Sequence, residues 1–397
     1  MRRHIAAAVP ALVLVLGAAA FGQVRPIPHP GQIERVPVRP QTQVCVPTEM
    51  TVRLGTAESP PHAFASLANA LHYAESKNLC AVVVDIGAGT HPGDFMIMQR
   101  TTLKGHPGTV VSGPVRGLAG FELRMQDLAI SNAPDVSLIQ VGGKVTLQNV
   151  TISLTRRTSN ALRSGTAVEL HGKAVGHFAK LTLEGNEGVA LYLDGEGTVA
   201  WASDLAVRKN HVHPAARDQF IKSSVFNRVG AVEVAGQAEL YVDRYEIADN
   251  EMCGVLARHR AAVQLRNGTI SGTTGYQPKG SDTTYGGENV ISATEARVEL
   301  NGFKIVNAQG CGLFVKDGFL KASQGEVHDD ALGLCVFGTT PGFDLTCVLG
   351  PTVRFYKNGS NLQADSLPVP DPACSLPNPP PRCAQTAACP GVPWRLE

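Results

Sequence analysis

Apolar residues along most of this chain keep a two-residue rhythm that slips by one position and then resumes. In VEVAGQAELYVDRYEIADN, residues 232–250, Leu240 and Val242 hold strand spacing, and Tyr245 and Ile247 resume it one residue late. Written as apolar, x, apolar, x, x, apolar, x, apolar, the pattern recurs at Leu123, Met125, Leu128 and Ile130, and at Val145, Leu147, Val150 and Ile152. It returns at Val263, Leu265, Gly268 and Ile270, then at Val298, Leu300, Phe303 and Ile305, and weakly at Leu320, Ala322, Gly325 and Val327. Met96, Met98, Thr101 and Leu103 make a loose first copy; FAKLTL and AWASDLAV hold degenerate copies ending at Leu183 and Val207.

Taking the last apolar residue of each copy as an anchor, successive anchors from Leu103 to Val327 lie 27, 22, 31, 24, 40, 23, 35 and 22 residues apart. A floor of 22 is too short for an α-solenoid repeat and fits a coil of short strands. Period two places two inward side chains on a strand, and one extra residue turns a corner before the next two. A third strand precedes each pair, read in AVEL, VALYL, AVEV, GLFV and GLCVF, with Gly188, Gly230, Gly312 and Gly333 expected to make tight turns. Three strands per coil, stacked at about 4.8 Å, predict a parallel β-helix whose core exists only between coils. The rival, a β-sandwich of many short strands, does not explain the constant coil or the repeated slip.

The ends differ. MRRHIAAAVPALVLVLGAAAFGQ has the charged start, apolar run and small-residue end of a secretory signal peptide over residues 1–22, although the run is close to the shortest that could anchor in a bilayer. Residues 23–49 are mostly a proline-rich linker, 50–360 the expected β-helix, and 361–397 a Pro/Cys-rich tail. HAFASLANALHYAESK reads as an amphipathic helix and AVVVDIGAG as a buried strand. No later segment reads as membrane-spanning, so the expectation is an exported protein, periplasmic or extracellular. Nine cysteines then favour disulfides over metal; Cys45 and Cys80 flank the helical segment and could join the stretches around it.

The stretch AFASLANALHYAESKNLCAVVVDIGAGTHPGDFMIMQRTTLKGHPGTVVSG resembles the opening of pectate-lyase-like right-handed parallel β-helix proteins: a capping helix, a strand, a glycine-rich turn, then TLKG. The resemblance covers roughly residues 50 to 360 and implies an all-β fold with an N-terminal helical cap. It also implies a polysaccharide cleft walled by loops and the adjacent sheet. The chain lacks the family's Gly-His-Gly turn, Arg-x-Lys run, Asp-Pro-His-Asp and pectinesterase signatures, so no activity follows.

Three coils exceed the floor, by 9, 18 and 13 residues, after Ile152, Val207 and Ile270. All three insertions fall at the same step of the coil, so they are expected along one edge, from alternate coils, about 10 Å apart. Their Arg156, Arg157, Arg163, His211, Lys222, Tyr276, Lys279, Asp282 and Tyr285 suit a polar, partly acidic glycan. Tolerated, solvated insertions are the plain alternative. A formal charge of +1 gives no case for nucleic acid.

Chemistry is sparser. HVHPAARD gathers His211, His213, Arg217 and Asp218, which could supply a base, a cation and a carboxylate, a weak metal site, or only a polar surface. VHDDALG holds Asp329 and Asp330, the one Asp-Asp pair in the chain. Adjacent aspartates act as acid and base in the resembled hydrolases, but Asp329 falls where Asn307 sits one coil earlier, which suits a turn. No cofactor is assigned. The expectation is a glycan-binding β-helix without a recognisable catalytic set; the alternatives are a divergent lyase, epimerase or hydrolase, and a structural or adhesive solenoid.

Overall fold

The structure, a computed structural model, describes residues 45–118, 120–159, 161, 163–214, 229–278, 282–338 and 345–364. Two parallel sheets carry the fold. The long sheet stacks eight ten-residue strands, from Glu122–Ser131 to Phe319–His328, each hydrogen-bonded to the equivalent strand one coil away. The short sheet stacks eleven strands, among them Thr166–His171, Leu191–Asp194, Gly230–Ala235 and Cys253–Ala257. The chain passes from one sheet to the other and back once per coil, which makes an all-β parallel β-helix, right-handed as parallel crossovers are.

The slip in the apolar rhythm is a corner inside each long strand. Arg244, the extra residue between Val242 and Tyr245, has φ +57°, and Lys180, Asp204, Asn267 and Gln324 repeat that left-handed conformation in register. The bend turns the second pair of apolar side chains back into the interior, so Leu240, Val242, Tyr245 and Ile247 all belong to one core. Where the sequence offers glycine in place of the third apolar residue, a ring from the preceding coil fills the space. A Cβ on Gly268 would meet the Tyr245 ring at 2.5 Å, and one on Gly325 would meet the Phe303 ring at 2.2 Å.

Three expectations need correction. Met96 and Met98 are 49% and 40% exposed; Phe95 and Ile97 face the core instead, because Phe95–Ile97 is a short-sheet strand and the long-sheet strand begins at Arg100. Gly188, Gly230, Gly312 and Gly333 do not have the positive φ of a tight turn; they are glycines because neighbouring coils crowd their Cα atoms. The helix spans Leu67–Ser76 rather than starting at His62, since Ser66 caps it by accepting from Asn69 N at 3.1 Å and Phe64 lies in a strand. Its buried face, Leu67, Ala70, Leu71 and Ala74, joins the same core as the coils. Cys45 is bonded to Cys80, and Cys311 to Cys335. Among the described residues no helix is long and apolar enough to cross a membrane.

Candidate functional site

Side chains alternate inward and outward along each short-sheet strand. In Thr166–His171, Val168 and Leu170 enter the core while Glu169 and His171 face out. Parallel register then builds two outward columns. Glu169, Tyr192 and Glu233 stand in one, followed by Leu256, Ile291 and Phe314 in later coils. His171, Asp194 and Ala235 stand in the other. The first column is therefore polar or charged at Glu169, Tyr192 and Glu233 and apolar from Leu256 to Phe314.

The first overlong loop, 154–165, delivers Arg163 onto the charged part. Its guanidinium lies 3.5 Å from the centre of the Tyr192 ring and donates to both oxygens of Glu233, at 2.9 and 3.2 Å. Arg258 donates to Glu233 Oε1 from Nε at 3.0 Å and from Nη2 at 2.7 Å. Glu233 is 0% exposed, so its charge is held by two guanidiniums in place of water. The loop is fixed from below: Asp135 accepts from Thr158 N at 3.2 Å and from the Ser164 hydroxyl, while Glu187 accepts from Arg157 N at 2.9 Å. Burial opposes the ionised Asp135, but these donors outweigh it and hold its carboxyl below the ordinary range.

The other two loops converge beside Tyr192. Val212 of the second is buried with Val189, Tyr192, Val229, Ala235 and Met252, and Tyr276 of the third packs against that cluster. Glu251 accepts from Val212 N at 2.9 Å, and Tyr276 pairs with Tyr285 in a two-residue antiparallel ladder. Strand order places all three loops between the long sheet and the next short-sheet strand, on alternate coils. Arg156, His211 and Asp282 are exposed; Arg157, His213 and Tyr285 are half-buried. Of the residues chosen from sequence, Arg163 and Tyr276 are brought to one cluster. Arg217, Asp218, Lys222 and Lys279 lie outside the described residues.

Asp329 and Asp330 lie elsewhere, at the corner after Phe319–His328. Asp329 has φ +58°, as Asn307 has +56° one coil earlier, and accepts from or pairs with His328 Nδ1 at 2.6 Å. Asp330 turns into the interior and is buried.

Electrostatics separate the site's groups. Burial raises the Glu169 carboxyl above its ordinary range, against the pull of Arg163 and with the help of Asp194. Burial lowers His171, with Asp194 pulling the other way. Burial works against the Arg163 charge, yet Glu233 holds its pKa above the ordinary value. A carboxyl inclined to keep its proton thus sits near Asp194, which is one coil on and two residues along, roughly 8 Å away by sheet spacing.

Sequence reasoning missed Glu169, His171, Tyr192, Asp194, Glu233 and Arg258. The signal was present: stacking AVELHG, ALYLDG and AVEVAG puts Glu, Tyr and Glu at one outward position. Reading the third strands for their inward residues passed over it.

The strand pairing makes the fold a parallel β-helix. No protein-family model matches the chain, and no curated protein matches it. Similar solved structures include the pectate lyase Pel9A, with TM-score 0.39, 9% identity, and coverage of 81% of this chain and 79% of that one. The catalytic domain of a GH87 alpha-1,3-glucanase gives 0.39, 10%, 82% and 71%. The A-module of the Azotobacter vinelandii mannuronan C-5 epimerase AlgE6 gives 0.34, 13%, 76% and 94%. They carry no argument about activity, and the fold rests on the strand pairing itself.

Proposed function

We propose that this is an exported protein that binds polysaccharide on the outer face of the short sheet, beneath the edge lined by its three overlong loops. The observation that carries the reading is Arg163 crossing the Tyr192 ring to reach buried Glu233, where residues of all three loops meet. At this cluster Arg163 and Arg258 keep part of their side chains exposed, and guanidinium N–H groups recognise hydroxyl-rich and partly acidic chains. Arg156 and His211 are exposed on these loops, where an incoming chain would meet them first. Affinity electrophoresis and a glycan array on the full chain test the proposal. Arg156→Ala combined with His211→Ala is expected to weaken binding by about tenfold, ~1.4 kcal/mol, with unfolding unchanged. Failure to bind any acidic or neutral glycan rejects it.

The Glu169 carboxyl favours a second reading, a glycoside-bond-cleaving site. Burial shifts the Glu169 carboxyl in the direction a general acid needs, and Asp194 stands one coil on and two residues along the same outward face, where a second carboxylate could activate water. Release of reducing ends by the wild-type chain, lost by at least about a hundredfold in Glu169→Gln, supports this reading. No release on any glycan that binds removes it while leaving the binding proposal standing.

A further inference from the structure

Inside the corner between the long sheet and the short sheet runs a column of mostly polar side chains, Asn186, Asn210, Asn250, Thr273, Asp330 and Asn358 among them, interrupted by Ala308. Its asparagines each do two jobs. Asn210 Oδ1 accepts from Asn186 N at 3.0 Å while its Nδ2 donates to Leu183 O at 3.1 Å. Asn250 does the same for Asn210 N at 3.0 Å and Val207 O at 2.9 Å, and Asn358 for Asp330 N at 3.0 Å and Val327 O at 3.1 Å. Each rung so joins the backbone of two successive corners.

Asp330 occupies the rung before Asn358. Its Oδ1 fills the accepting role, taking Ala308 N at 2.6 Å. Its Oδ2 is the chemical counterpart of the asparagines' donating nitrogen, and among the described residues this buried oxygen has no hydrogen-bond partner. The residue is 3% exposed, and Gly312 leaves room for it: a Cβ there would lie 2.4 Å from Oδ2. A carboxylate oxygen has no hydrogen to donate; a carboxylic acid has one, and is then an isostere of asparagine. We propose that Asp330 is a proton-operated rung that locks its own coil, Phe319–His328 and Leu332–Val336, onto the coil before it, complete when protonated and broken when ionised.

The surroundings favour the neutral form. Asp329 is the charged neighbour, at the corner beside it, and is itself engaged with His328, whose ring stacks on Tyr356 of the last coil. Lys357, at the corner of that last coil, is exposed. The short-sheet residues packed against the rung, Gly312 and Gly333, are uncharged. Burial pushes the Asp330 carboxyl up to about 7, against the Ala308 N–H and with Asp329. A folded-state value above the ordinary 3.8 means that the folded chain binds this proton more tightly. The stabilisation is full below about pH 4 and is lost as pH rises through about 7.

Hydrogen exchange of the full chain, followed by mass spectrometry at about pH 5 and about pH 9 with times scaled for intrinsic exchange, tests this. In the wild type, protection of Leu332–Val336 and of the strands stacked outside it, Val353–Tyr356 and Ser360–Ala364, is expected to fall by at least about tenfold across that range, the equivalent of one pKa unit. In Asp330→Asn it should stay level, while Asp329→Asn should keep most of the fall. A flat wild-type profile overturns the proposal whatever the variants do, and so does an unchanged fall in Asp330→Asn.

Discussion

Tyr245 shows what a single residue in this interior must tolerate. Its ring fills the gap left by Gly268, but among the described residues its buried hydroxyl has no hydrogen-bond partner, and burial alone raises its pKa. An unpaired buried hydroxyl gives up its hydration for nothing, a loss of about 1–3 kcal/mol. Tyr245→Phe keeps the ring and removes the oxygen, so it is expected to raise stability by about 1 kcal/mol in urea unfolding. A lower midpoint for the variant would show that the hydroxyl has an unseen partner. Glu233 is the opposite case. It is as deeply buried, but two guanidiniums satisfy it, and removing either arginine strands a charge.

At the scale of the element, each long strand is two strands joined by a left-handed residue, and its fit depends on the strands above and below. Phe303 and Gly325 stand in register, and the phenyl ring occupies the space that any side chain at 325 would need. Gly325→Ala is therefore expected to cost about 1–3 kcal/mol by overpacking. Phe303→Leu in the same chain should restore part of it, measured as coupling in a double-mutant cycle. Full additivity of the two changes would mean that the ring moves aside freely. The same logic explains why the apolar pattern faltered at 268 and 325 without breaking the coil. The volume missing from one rung is supplied by the one before, which a one-strand reading does not reveal.

Over the whole molecule, each coil leans only on its neighbours, so stability is lost from the ends inward. The helix Leu67–Ser76 packs its apolar face on the first coils, and Cys45–Cys80 closes the chain around it. Cys311–Cys335 ties two late coils across a separation of 24 residues. Reduction of both bonds is expected to lower stability by about 3 kcal/mol for each, with exchange rising first in the terminal coils and last near Val199–Arg208. Uniform loss of protection along the chain would contradict independent coils. The proposed binding face lies on the middle coils, where the loops stand on short-sheet strands flanked by coils on both sides.

The coil was legible in one dimension: its length, its three strands, the single-residue corner and the step at which the loops leave are all periodic, and periodicity needs no third dimension to be read. The sequence also placed Asp329 at a corner, through its spacing from Asn307, and the loop residues Arg163 and Tyr276 on one edge. It did not show that Arg163 reaches Glu233, 70 residues away in sequence, because that contact depends on stacking two coils apart. Nor did it show that Asp330 replaces an asparagine, since the column joins residues 186, 210, 250 and 358 only once the coils are in register. Burial decides which carboxyls keep their protons, and burial is fixed by what lies above and below a residue, which only the tertiary structure supplies.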